Sequence, residues 1–241
     1  MTGRRALKQS GVTLIELMIA ISLVAILLAG LLTAMRAGLI THEKTAARLN
    51  ANRRVMNVQQ ILASQLENAM PVAGLCPSSD SEKPAALLPF FVGTETALRM
   101  ITNYSIAEGA RGYPQIVEYQ VQPLAGGFRL AVAEHAFTGP ASTAVFCADL
   151  QPRPVALGAS ALILADNLAA CSLAYHPAYD PFTYRETPWV TLWDAKMTKL
   201  PAAVRIQMKA ANAVPAGLPV VSFTIPIRAD RNPLGRYADI Y

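Results

Sequence analysis

From Leu17 to Met35 nineteen consecutive residues carry no charge, and as a helix that length crosses the hydrocarbon of a bilayer. This run constrains the chain more than any other feature, because no soluble core of ordinary size hides such a segment on every face. It also explains the composition. Only 15% of residues are charged, against about 25% in a typical soluble domain, and the deficit is concentrated here. The remaining residues suffice for one sizeable globular domain. Arg4, Arg5 and Lys8 precede the span. By the positive-inside rule they hold the N-terminus in the cytoplasm and send the C-terminal bulk outward, into the periplasm of a bacterium. The net charge of +5 and pI near 9.2 do not indicate nucleic acid. Without residues 1–11 the balance falls to +2, and no basic stripe interleaved with aromatics follows, so no nucleic acid is expected to bind directly.

An ordinary secretory signal has a shorter apolar core and a small-residue cleavage site after it. Here the candidate cut lies ahead of the span. Gly11-Val12-Thr13-Leu14-Ile15-Glu16-Leu17 resembles the class III signal of type IV prepilins. The resemblance implies cleavage after Gly11 by a prepilin peptidase on the cytoplasmic side. It also implies N-methylation of the new terminal residue, Val12, where Phe is commonest in the family. Glu16 adds a physical argument: a carboxylate near the start of a membrane helix is costly unless something offsets it. In a pilin-like filament the offset is the α-amino group of Val12 on a neighbouring subunit, a charge-assisted contact in a low-dielectric bundle. The plain alternative is a signal anchor whose Glu16 stays hydrated among headgroups.

Beyond the span the helical period continues. Residues 39–70 contain no Pro, and Val55, Val58, Leu62, Leu66 and Ala69 recur at three- and four-residue intervals. Arg48, Arg53, Arg54 and Glu67 fall between them, and Pro71 ends the pattern. One helix of about sixty residues, roughly 90 Å long, is expected. Val117, Tyr119 and Val121 alternate with polar residues, and Phe128, Leu130 and Val132 follow Gly126-Gly127, which reads as a hairpin. Further strands are expected at 171–175, 189–193, 203–209 and 220–227, with 76–115 as irregular connection. The fold class is therefore α+β: a long N-terminal helix, half transmembrane and half amphipathic, packed on an antiparallel β-sheet head, as in pilins. The expected divisions are 1–11 leader, 12–36 transmembrane helix, 37–70 amphipathic continuation and 71–241 periplasmic head.

A second resemblance lies in the head. Trp189 to Trp193 followed by Leu200-Pro201-Ala202-Ala203-Val204 is similar to the Trp…Trp…Leu-Pro-x-x-Val segment of J-type minor pseudopilins of type II secretion systems. Asn167-Leu168 to Tyr175 fits their preceding strand. The resemblance implies a structural subunit that helps to initiate or cap a periplasmic pseudopilus. Its partners would be sibling minor pseudopilins, the major pseudopilin and the inner membrane. W-type minor pilins share the leader, a similar length and a β-rich head, so a minor pilin of a type IV pilus, with sibling pilins and a major pilin as partners, is the alternative. A membrane-tethered periplasmic binding module is a third reading.

No catalytic motif competes with these. His42, His135 and His176 stand apart from other ligand-type residues, and His42-Glu43 fails the HExxH pattern because Ala46 occupies the second His position. There is no GxSxG, Walker loop or GxGxxG. No enzyme activity, cofactor or metal is expected. Cys76, Cys147 and Cys171 form no CxxC pair. Cys147 with Cys171 would close a loop of modest length in an oxidising compartment, and three buried thiols is the other reading. Trp189 and Trp193, with Tyr175, Tyr179, Phe182 and Tyr184 nearby, are candidates for a subunit interface, core packing being the alternative.

Overall fold

The computed structural model describes residues 13–80, 82–158, 161–178, 187–211, 220–229 and 231–235. The chain divides into two units, Met1–Asn50 and Ala51–Tyr241, and helix α1, Leu14–Glu67, contributes to both.

In the first unit every described side chain from Thr13 to Thr45 is exposed. A helix with Leu, Ile, Val and Met on all sides has no single face to bury, and it is satisfied by lipid or by other helices. The hydroxyls that interrupt it are turned back on the backbone. Ser22 Oγ donates to the Ile19 carbonyl at 2.9 Å, Thr33 Oγ1 to Gly30 at 2.8 Å and Thr41 Oγ1 to Ala37 at 2.8 Å. Such bonds satisfy the hydroxyls within the helix itself.

The second unit is built on a seven-stranded antiparallel sheet. Its strands are β3 (Val92–Gly93), β4 (Ala97–Ser105), β5 (Ala110–Leu124), β6 (Gly127–Ala136), β9 (Leu162–His176), β10 (Ala203–Ala210) and β11 (Val220–Pro226), ordered β11-β10-β9-β6-β5-β4-β3. Two small ladders, β1 (Ala73–Cys76) with β2 (Ala86–Pro89) and β7 (Cys147–Ala148) with β8 (Gln151–Pro152), accompany it. The amphipathic end of α1 lies on one face: Val58, Leu62 and Leu66 are buried among Leu98, Val117 and Tyr119. Full burial of a leucine such as Leu62 or Leu66 contributes about 1.5–3 kcal/mol.

The expected hairpin is present, with Leu124 paired to Gly127 and Gly126 turning the chain at φ 96°, a conformation that favours glycine. Gly127 has a different reason: a Cβ there would run into the Leu168 carbonyl of the neighbouring β9. The expected strands at 171–175, 203–209 and 220–227 correspond to part of β9, to β10 and to β11.

Two expectations are corrected. Residues 76–115 are not irregular, since they hold the end of β1, all of β2, β3 and β4, and the start of β5. Leu98, Arg99, Met100 and Ile101 are all buried, so β4 is covered on both faces and shows no alternation of polar with apolar residues. Residues 189–193 form no strand but two single bridges, Val190 with Tyr175 and Trp193 with Gly93.

The second face of the sheet is covered by residues 140–157, beginning with a 3-10 turn at Pro140–Phe146. Gln120 Nε2 donates to the Val155 carbonyl at 2.9 Å, and the Leu157 amide donates to Gln120 Oε1 at 3.0 Å. A disulfide joins Cys76 to Cys147. This corrects the expected pairing of Cys147 with Cys171: Cys171 is a free, buried thiol in the helix-side core, whereas Cys147 lies in the cover on the opposite face. The partner of Cys147 is set by β1 lying beside the 3-10 turn, where Thr143 Oγ1 accepts from the Leu75 amide at 2.8 Å. Sequence spacing does not show that contact. With a sequence separation of 71 between the two cysteines, replacing both by Ser is expected to lower stability by about 2–4 kcal/mol. Urea unfolding followed by tryptophan fluorescence measures this, and an unchanged midpoint would contradict it.

Candidate assembly site

α1 begins at Leu14, and the Thr13 carbonyl accepts from the amides of Glu16 at 3.1 Å and Leu17 at 3.2 Å. Glu16 thereby stands in the first turn, where unpaired amides and the helix dipole favour a negative charge. Its side chain is exposed, and no hydrogen bond or ion pair holds it among the described residues. Gly11 and Val12 lie outside the described residues. The one helix among the described residues that is long and apolar enough to cross a membrane is α1.

The head carries two buried polar clusters that the sequence reading did not anticipate. Gln65 of α1 is fully buried. Its Nε2 donates to Glu134 Oε1 at 2.6 Å, and its Oε1 accepts from the Tyr119 hydroxyl. Thr102 Oγ1 donates to the Gln65 carbonyl at 2.8 Å, while Glu134 also accepts from Ser105 Oγ at 3.0 Å and the Ile106 amide at 2.7 Å. The end of the helix is thus fixed in register on β4, β5 and β6. On the opposite face Arg99 and Glu118, both buried, pair across β4 and β5, with Arg99 Nε donating to Glu118 Oε1 at 2.7 Å. Arg99 Nη1 donates to the carbonyls of Phe146 at 3.2 Å and Arg153 at 2.7 Å, which ties the cover to the sheet. Glu118 alternates with inward Val117 and Tyr119, as a solvated face would. Its burial follows from the cover, which no local pattern announces.

Trp193 is buried at 4% exposure, with its indole N–H donating to the Lys199 carbonyl at 3.2 Å. Its backbone exchanges hydrogen bonds with Gly93 at 2.7 and 2.8 Å, and its ring lies 6.4 Å from Tyr175. This corrects the expectation of a subunit interface at Trp193, which closes the core where the C-terminal half of β9 lies beyond its pairing with β6. Trp189 is half-buried, with the Arg205 guanidinium 3.8 Å above its ring and His176 4.9 Å away. Tyr179, Phe182 and Tyr184 lie outside the described residues.

His42 is exposed on α1, His135 Nε2 stands 3.5 Å from Glu118 Oε2, and His176 is beside Trp189. Among the described residues no three His, Cys, Asp or Glu side chains gather as metal ligands.

Burial raises the Cys171 thiol from 9.0 to about 12. It pushes the phenols of Tyr119 and Tyr175 up as well, with Glu134 adding to the effect at Tyr119. Each group is held neutral in the fold, so its contribution is complete below its ordinary value and is lost as pH rises towards the folded one. Unfolding free energy is therefore expected to hold from pH 7 to about 9 and then to fall, by up to about 1.4 kcal/mol per pH unit for each ionising group. Urea titrations between pH 7 and 11 check this, and a flat profile to pH 11 would contradict it.

The long N-terminal helix packed on an antiparallel sheet is a pilin-like architecture. Residues 7–32 match the family of the prokaryotic N-terminal methylation motif, the class III prepilin leader. Helix, sheet and the matched leader are consistent with a type IV pilin-like protein, a structural class and not an enzyme family. Such a leader implies processing by a prepilin peptidase and assembly with other pilin-like subunits, and with the apolar helix it suits a single-pass inner-membrane protein with a periplasmic head. No curated protein matches this chain.

Proposed function

We propose that the chain is a minor pseudopilin of a type II secretion system, a non-enzymatic subunit that helps to initiate or cap the periplasmic pseudopilus driving export of folded proteins. Cleavage after Gly11 frees the α-amino group of Val12, which is then methylated, and Glu16 docks against the Val12 amine of a neighbouring subunit. The observation that carries the filament reading is one register: Gly11, Val12 and Glu16 stand directly ahead of a span that continues unbroken, as α1, into the head. The narrower assignment to secretion is supported by the Trp189…Trp193…Leu200-Pro201…Val204 segment and its likeness to J-type pseudopilins. Deleting the gene tests it: export of folded proteins should stop while surface pili persist. Loss of pili with export intact would assign the chain instead to a type IV pilus, as a minor pilin.

A further inference from the structure

Directly beyond the span, residues 36–54 carry Arg36, Lys44, Arg48, Arg53 and Arg54 against one carboxylate, Glu43. All five cations are exposed on α1, and none makes an ion pair among the described residues. The rest of the chain does not share the bias, since residues 55–241 hold thirteen Lys and Arg against fourteen Asp and Glu. At 100° per residue Arg36 and Arg54 are aligned, Lys44 and Arg48 lie within the next third of a turn, and Arg53 falls on the other side. The charge therefore forms a collar around the helix rather than a stripe along it.

Every neighbour in a helical bundle meets such a collar. From Arg36 to Arg54 it spans about 27 Å, so two copies side by side overlap at any smaller axial stagger and set cation against cation. Like charges at short range select against a partner as effectively as opposite charges select for one. An anionic lipid surface fits less well. Its potential decays over about 10 Å at moderate salt, and along the helix axis Lys44 already lies about 12 Å beyond Arg36.

We propose that residues 36–54 are a partner-selecting collar, which docks against an acidic stretch of a different pilin-like subunit and keeps copies of this chain from sitting side by side. The inference rests on the filament reading and adds to it the chemistry of the neighbour.

The test uses the processed chain, beginning at Val12, in phosphatidylcholine vesicles together with an epitope-tagged copy in which all five cations are reversed (Arg36→Glu, Lys44→Glu, Arg48→Glu, Arg53→Glu, Arg54→Glu). Both carry Thr41→Cys for cross-linking at an exposed helix position. At low salt, mixed pairs are expected to exceed wild-type pairs by roughly tenfold, a preference that fades at about 1 M salt. A third version with Gln at the five positions should pair with itself, with unchanged tryptophan fluorescence reporting an intact head. Equal mixed and wild-type pairing that still depends on Glu16 would overturn the collar and leave the filament reading standing. No pairing of any kind would overturn both. Clustering of the wild type only in phosphatidylglycerol vesicles would assign the collar to lipid headgroups and overturn the proposal.

Discussion

Glu16→Ala is expected to remove the protein from filaments while leaving it in the inner membrane with a folded head. The substitution takes away a carboxylate from the first turn of α1, and Ala is a good helix former, so the span should persist. Glu16 is remote in sequence from the head, so thermal unfolding of the head should not change. On the proposed docking, what disappears is the group that answers the α-amino charge of a neighbour inside an apolar bundle, where an unanswered charge is strongly disfavoured. Glu16→Gln keeps the size and a hydrogen-bonding oxygen but not the charge, so its recovery in filaments should also fall well below wild type. A protein that uses α1 only as a tether for a periplasmic binding module would tolerate both changes. Filament recovery equal to wild type for Glu16→Ala would end the docking mechanism.

Arg99→Ala is expected to destabilise the head by about 3–5 kcal/mol, since it leaves the Glu118 carboxylate buried without its cation. The same truncation withdraws the donor from the Phe146 and Arg153 carbonyls, so the cover loses its tie to the sheet as well as its charge balance. In thermal unfolding the shift should be roughly 10 °C for a domain of this size. The double variant Arg99→Met with Glu118→Leu removes both charges together and should recover part of the loss, because neither is then stranded. The two carbonyls remain unpaired by Arg99, so recovery is incomplete. Equal stability of Arg99→Ala and wild type would mean that water reaches Glu118 despite its 5% exposure.

The parts of this molecule legible in the sequence are those with a period. Val58, Leu62 and Leu66 repeat at helical spacing and Val117, Tyr119 and Val121 at strand spacing, and both sets reach the core as the pattern requires. Strand β4 escaped because Leu98 to Ile101 are buried on both faces and carry no period. The Arg99–Glu118 pair depends on the register of β4 against β5, which sets Arg99 opposite Glu118 and is written in no local motif. The pairing of Cys76 with Cys147 depends on β1 meeting the 3-10 turn from the far side of the sequence. At Trp193 the core-packing alternative holds for a related reason: the bridge to Gly93, with that of Val190 to Tyr175, ties the segment to distant strands and its ring is buried. The proposed assembly residues Gly11, Val12 and Glu16, by contrast, fall within the matched segment 7–32, because a leader motif is local and needs no fold to align it.

The most direct test of the central claim is mass spectrometry of the N-terminal peptide, together with the co-purifying proteins, after tagged isolation from native membranes. The account predicts a peptide that begins at Val12, carries an N-methyl group and is recovered alongside other pilin-like subunits. An intact Met1 to Gly11 leader with no pilin-like partner would contradict it.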